Sequence, residues 1–228
     1  NNGGISPDSL SSPRGLTVDL SGNVYISDYS NNRVLYYVSG STTASRVYGQ
    51  LGAYTTSTMN NGGVTADSNA GPYRAAFDSG GNLYVPNVFT HRVLFYPAGS
   101  TTATRAYGQL GSLTSNVANN GGVSANSLNA PTGAALDSAG NLYIADRQNN
   151  RVLYYPAGST TATRVYGQLG SFTSNAANNG GVSADSLNAP TGLAIDSSGN
   201  LYVADSVNNR VLFYPSGSTT AIRVYGQL

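Results

Sequence analysis

Short apolar runs recur along the chain, each bounded by Gly, Pro, Asn or Ser. The C-terminal part shows the pattern most clearly. TGLAID (191–196), NLYVAD (200–205), RVLFYP (210–215) and AIRVYGQ (221–227) follow one another, separated by the turn sequences SSGN, SVNN and SGST. The runs are rich in aliphatic and aromatic side chains, the composition of β-strands. Gly199 falls where a tight turn asks for positive φ. No segment sustains a helical apolar period. Four strands joined by tight turns predict a four-stranded antiparallel meander, which cannot bury both of its faces alone.

This unit is repeated. The string NNGG begins at Asn1, Asn60, Asn119 and Asn178, a spacing of 59 residues each time. The units run 1–59, 60–118, 119–177 and 178–228, and together they form one domain, 1–228. A strict period of this length marks a repeat architecture in which neighbouring units bury each other's faces. Stacking four meanders around an axis gives the expected fold: all-β, a four-bladed β-propeller with each blade a four-stranded antiparallel meander. Strands sandwiched between blades can be apolar on both sides, as these runs are. Between blades lies a long connection, such as Gly167 to Pro190. It runs from the rim of one blade to the axis of the next and is expected to roof the groove between them.

Composition narrows the partners. The chain has 228 residues, of which 9% are charged, and the net charge is +1. All ten acids are Asp and all eleven basic residues are Arg. That balance creates no field to steer nucleic acid or an anionic membrane. No apolar run reaches the ~20 residues of a membrane-spanning helix, so membrane insertion is not expected. Cysteine is absent, which excludes disulfide and thiolate chemistry. The chain begins with Asn rather than Met, as expected of a chain that has lost an N-terminal segment or is a piece of a longer one.

The repeated strings carry a resemblance. SPRGLTVDLSGNVYISDYSNNRVLYYV, APTGAALDSAGNLYIADRQNNRVLYYP and APTGLAIDSSGNLYVADSVNNRVLFYP share a run of Pro-x-Gly, Asp, Gly-Asn, Tyr, Ala-Asp and Asn-Asn-Arg. The chain resembles the NHL-repeat β-propellers, and its NNGG connections resemble those of secreted bacterial NHL-type repeat arrays. Members of that family form propellers, most often with six blades. Four is a departure, and four whole strand sets suit a closed four-blade ring. The resemblance implies an extracellular location, secreted or at the cell surface. It also implies structural roles for the repeated charges. Asp28, Asp146 and Asp205 end the second strands, and Arg33, Arg92, Arg151 and Arg210 open the third. Within each unit the two flank one turn, so the carboxylate is placed to accept from turn amides and pair with the Arg. Asp19, Asp78, Asp137 and Asp196 begin the first turn and are expected to cap it.

Family-linked chemistries can be weighed against the residues present. Amidating lyases of this kind hold zinc with several His ligands, and this chain has one, His91. Lactonase-like propellers hold a divalent ion with clustered acids, and here Glu is absent and the turns use most Asp. No G-x-S-x-G string marks an activated Ser. No catalytic residue, metal ligand or cofactor is therefore expected.

Unit two departs from the others. NLYVPNVFTHRVLFY places Asn87 where the other units have Asp, and Thr90 and His91 where they have Asn-Asn. Tyr73 and Arg74 stand where the other units have a residue and then Gly. In a meander the second-to-third turn and the long connection share one end of the blade. Tyr73, Arg74, Asn87, Phe89 and His91 are thus expected on one face, with Arg14, Arg147 and Gln148 at comparable ends of neighbouring blades. Aromatic, Arg and His side chains together suit recognition, and this is the candidate ligand face; relaxed drift of one repeat is the competing explanation. The sequence points to a non-catalytic extracellular binding, adhesion or structural module, with protein or carbohydrate as partner. Self-association into homo-oligomers or filaments is a further expectation, through the exposed edges of the outer strands. Arg46, Arg105, Arg164 and Arg223 on those strands would instead protect them. The alternatives are a carbohydrate-binding, lectin-like propeller and a metal-dependent lyase or lactonase.

Overall fold

The computed structural model describes residues 3–226. Among the described residues sixteen strands form four separate antiparallel sheets, one per repeat. Blade 1 holds β1 (Pro13–Val18), β2 (Val24–Asp28), β3 (Arg33–Tyr37) and β4 (Arg46–Tyr48). Blade 2 holds β5 (Ala76–Phe77), β6 (Leu83–Asn87), β7 (Arg92–Tyr96) and β8 (Arg105–Tyr107). Blade 3 holds β9 (Pro131–Leu136), β10 (Leu142–Asp146), β11 (Arg151–Tyr155) and β12 (Arg164–Tyr166). Blade 4 holds β13 (Pro190–Ile195), β14 (Leu201–Asp205), β15 (Arg210–Tyr214) and β16 (Arg223–Tyr225). In every sheet the strands lie in chain order, so each blade is a meander and the fold is a four-bladed β-propeller.

The turns explain why the meander forms. Asp196 opens the first turn of blade 4, and its Oδ1 accepts from the amides of Ser198 and Asn200 at 2.9 and 3.0 Å. Its Oδ2 accepts from Asn200 Nδ2 at 2.9 Å, and Gly199 takes φ 79°. Asn200 Oδ1 then accepts from the Ser216 amide, which fastens the first turn to the third. The same bonds recur around Asp19, Asp78 and Asp137. An Asp side chain that mimics a backbone turn fixes the chain reversal locally, before any tertiary contact is made.

The core lies between blades. Tyr25, Val34 and Tyr48 of blade 1 pack against Leu83, Leu94 and Tyr96 of blade 2. Equivalent sets join blades 2 and 3, and blades 3 and 4. Edge-on tyrosine pairs repeat at each joint: Tyr48–Tyr96 and Tyr107–Tyr155 at 5.2 Å between ring centres, and Tyr166–Tyr214 at 5.1 Å.

The ring does not close as the four strand sets suggested. Tyr48, Tyr107 and Tyr166 are 1–2% exposed, while Tyr225 at the same repeat position is 47% exposed. At the other end of the arc Leu16 and Val18 of β1 are 71% and 53% exposed. Three joints built from equivalent side chains at nearly the same spacing link the four blades. Blades 1 and 4 are left with apolar side chains in the open. The outer strands are also shorter than AIRVYGQ implied, three residues each; Gln227 lies outside the described residues.

Candidate functional site

At one end of each blade the second strand runs into a short turn that the third strand leaves. Asp28 ends β2, and Asn32 takes the left-handed conformation, φ 53°, just before β3. Asp28 is fully buried and has its oxygens filled. Oδ1 accepts from the Ser11 amide at 2.7 Å, and Oδ2 accepts from Asn31 Nδ2 and Arg33 Nε, both at 2.8 Å. The rest of the Arg33 guanidinium donates to the carbonyls of Ser6, Ser9 and Tyr54. One buried ion pair thus ties the connection entering a blade to the connection leaving it. Asp146–Arg151 and Asp205–Arg210 repeat the pair at 2.8 and 2.7 Å. Pairing and hydrogen bonding to this degree are what a buried charge requires.

Blade 2 lacks the acid, and its residues rearrange. Asn87 is fully buried: Oδ1 accepts from the Ala70 amide at 2.8 Å and Nδ2 donates to the Val85 carbonyl at 3.1 Å. Arg92 still donates to the carbonyls of Thr65, Ser68 and Leu113, but its Nε has no acceptor, nor has Thr90 Oγ1 a partner. Burial without a carboxylate pulls the Arg92 guanidinium down to about 10. His91 takes φ 51°, the left-handed place that Asn32 and Asn150 hold in their blades. Its Nδ1 accepts from the Ala130 amide at 3.0 Å, as Asn32 Oδ1 accepts from Gly71 and Asn150 Oδ1 from Ala189. Burial lowers the His91 pKa, in keeping with a neutral ring that accepts at Nδ1. Asn87 and His91 are thus bound into the frame: Asn87 offers no surface to a ligand, and the Nδ1 of His91 is occupied.

Three of the other candidates converge on one ring. The ring of Tyr73 meets Tyr29 edge-on at 6.0 Å, and Phe89 meets the same Tyr29 at 5.8 Å. The Arg14 guanidinium lies 5.4 Å from the centre of the Tyr29 ring, within range of a cation–π contact. Tyr29 went unnoticed in the sequence because it varies between repeats; it begins the short helical turn of blade 1 that faces blade 2. Gly71 makes the approach possible, since a Cβ there would sit 2.7 Å from the Phe89 ring. Phe89 is 43% exposed, so the cluster shows an aromatic edge to solvent.

Arg74 lies elsewhere, at the axis. Its Cα would be 2.7 Å from a Cβ on Gly15, and its guanidinium lies against Gly192 across the centre. Its carbonyl accepts from the Ala134 amide of blade 3. The glycines at the matching positions of blades 1, 3 and 4 leave the space this one side chain enters. Arg147 and Gln148 stand on the turn of blade 3, where the Gln148 amide donates to the Asn129 carbonyl. No contact joins either to the aromatic cluster among the described residues.

A cavity of about 690 Å³ opens at the opposite end of the axis, beside Leu20, Ala76, Phe77 and Ala134. The carboxylates at its rim, Asp19 and Asp78, are spent on their own turns. Its greasy lining on the side of blade 1 continues the open end face. Among the described residues no group of three or more His, Cys, Asp or Glu is placed to hold a metal ion.

A family model described as the NHL repeat matches residues 10–37, 128–155 and 187–213. The unmatched repeat is blade 2, the one whose motif residues have changed. No curated protein matches the chain. Solved structures do. A catalytically inactive virginiamycin B lyase from Staphylococcus aureus, solved with quinupristin, is 15% identical over 97% of this chain and 57% of its own, with a TM-score of 0.58. Hydrazine synthase from Kuenenia stuttgartiensis is 15% identical over 96% of this chain and 50% of its own, with a TM-score of 0.63. A chain of a nidogen/laminin complex is 16% identical over 98% of this chain and 66% of its own, with a TM-score of 0.63. At these identities the likeness is one of fold, and the chain spans only 50–57% of the length of the first two.

Proposed function

We propose that this β-propeller, built from NHL repeats, is a non-catalytic binding module of the cell exterior that takes a protein or carbohydrate ligand on its aromatic face. The observation that carries the reading is the Tyr29–Tyr73–Phe89 cluster with Arg14 over it. There aromatic rings of blades 1 and 2 meet at the solvent edge of their joint. Rings held by a neighbouring blade lose little entropy on binding, and a flanking guanidinium supplies a directional donor. The polar groups that would perform chemistry are engaged otherwise: seven Asp carboxylates (19, 28, 78, 137, 146, 196, 205) hold turns and Arg pairs, and His91 Nδ1 accepts a backbone amide. Placement outside the cell rests on the resemblance of the NNGG connections to secreted arrays.

The test is direct binding of the purified protein to glycan arrays and to extracellular matrix proteins, with the Tyr73→Ala, Phe89→Ala double variant alongside. The reading expects a ligand whose binding the double variant abolishes while the melting curve stays cooperative. Ligands held equally by both proteins would place recognition elsewhere. A lyase reading draws on the fold of virginiamycin B lyase. Consumption of quinupristin by the purified chain would establish it in place of the binding module.

A further inference from the structure

The repeat supplies the same joint three times, and the two ends of the arc carry its unmated halves. On the leading side of each blade a Tyr, a Val and a Tyr project toward the next: Tyr25, Val34 and Tyr48 in blade 1, Tyr84, Val93 and Tyr107 in blade 2, Tyr143, Val152 and Tyr166 in blade 3. All nine are buried. In blade 4 the set is Tyr202, Val211 and Tyr225; the first two are half-buried and the third is 47% exposed. On the receiving side each blade offers a Leu and a Tyr from its third strand and an apolar residue from its fourth. Blade 1 carries Leu35, Tyr37 and Val47 there, a separate apolar cluster packed by Leu10 and Tyr54 of its loops and by Val24 and Ile26 of β2, and buried but for the margin of Tyr37. The inner strand extends that face with Leu16 and Val18, both exposed.

We propose that these two faces mate between copies of this chain, blade 4 of one against blade 1 of the next. The partner is a second copy because the two surfaces are, position by position, the halves of a joint the chain already makes. Tyr225 would meet Tyr37 of the second copy as Tyr48 meets Tyr96, Tyr107 meets Tyr155 and Tyr166 meets Tyr214. Tyr202 would meet Val18 as Tyr25 meets Phe77, whose rings stand 4.2 Å apart. Tyr37 keeps 7% of its surface where Tyr96, Tyr155 and Tyr214 keep none, the sliver that the missing ring covers. Each face carries one neighbouring acid, Asp196 beside Tyr202 and Asp8 near Tyr37, and the joints the chain already makes tolerate the same acids, with Asp19 near Tyr25 and Asp67 near Tyr96. The joint is heterologous, head to tail, so copies close into a ring or propagate as a fibre. It stands apart from the ligand reading, since the aromatic cluster lies at the joint of blades 1 and 2 within one chain.

The experiment is sedimentation velocity and light scattering on the purified 228-residue chain over a broad concentration range. Two single variants are run beside it, Leu16→Asp on blade 1 and Tyr225→Asp on blade 4. Both positions are exposed in the single chain, and circular dichroism checks that each variant keeps the sheet. The wild type is expected to form dimers or larger species. Each variant alone is expected to remain a monomer. Mixed together they are expected to form a dimer and nothing larger, because Leu16→Asp retains an intact blade 4 face and Tyr225→Asp an intact blade 1 face. A wild-type monomer at every concentration would overturn the proposal and leave these faces to another occupant. Assembly that survives both substitutions, or a mixture that stays monomeric, would overturn it too, the former by placing the contact on another surface such as the outer strand edges.

Discussion

Asn87→Asp should stabilise this protein, although it puts a charge into a site with no solvent exposure. Three blades place Asp at this position with its Oδ2 2.7–2.8 Å from the Nε of the paired Arg. Blade 2 buries the Arg without the acid, and Arg92 Nε and Thr90 Oγ1 both go unpartnered beside the carboxamide. The desolvation of Arg92 is already incurred in the wild type. An added carboxylate therefore meets a cation in place, the Ala70 amide that Asn87 now accepts from, and a hydroxyl free to donate. Breaking a buried pair costs about 3–5 kcal/mol, and one unsatisfied buried donor about 1–3 kcal/mol. The substitution also forfeits the bond from Nδ2 to the Val85 carbonyl, so the net gain expected is about 1–3 kcal/mol. For a chain of this length that corresponds to roughly 2–4 °C in melting temperature per kcal/mol. Urea titration followed by circular dichroism reads it as a higher midpoint with an unchanged slope. An unchanged or lower midpoint would refute the reasoning, and would mean that the three carbonyls around Arg92 satisfy it without an acid.

The reverse change, Asp146→Asn in blade 3, is expected to lose about 3–5 kcal/mol by stranding buried Arg151, measured by the same titration. Gly133→Ala would set a Cβ 2.8 Å from the Thr191 carbonyl, where inner strands of blades 3 and 4 touch; a loss of about 1–3 kcal/mol is expected, and a neutral result would show that the axis can relax. Gln168→Ala removes a fully buried amide that donates to the carbonyls of Asn149, Asn150 and Ala176, and proteolysis of the following connection is expected to quicken. Acid should destabilise the fold in two stages. His91, lowered chiefly by burial, and Asp196, lowered chiefly by its bond to the Asn200 side chain, both have folded pKa values below their unfolded ones. Each contributes stability that is present above the unfolded value and lost as pH falls through the folded one. The first loss begins below about 6.5 and the second below about 4, and His91→Asn should remove only the first.

The period of 59 made the strands, the turns and the blade count legible, because each is a local property repeated four times. Asp19 and its equivalents could be assigned to turns from neighbours within four residues. The buried Asp28–Arg33 pairs could be anticipated for the same reason, since both partners flank one turn. Contacts between units were less legible, and the errors fall there. Asn87 and His91 stood out as substitutions and so suggested a ligand. Their environments show that the frame absorbed the change: His91 Nδ1 replaces an Asn oxygen as acceptor for the next blade, and Asn87 keeps one of the two duties of the lost acid. Tyr29 was missed because its meaning depends on Tyr73 and Phe89 in another repeat. The buried Gln50, Gln109 and Gln168 were missed too, although their regular recurrence after Tyr-Gly was a usable sign. Closure was the largest error, and its cause is geometric. Nothing in one repeat states the angle between blades. A repeat fixes its neighbour, and the number of neighbours needed to complete a turn is a property of the joint. The joint's apolar halves at Tyr225 and Leu16 therefore remain exposed however regular the sequence between them is.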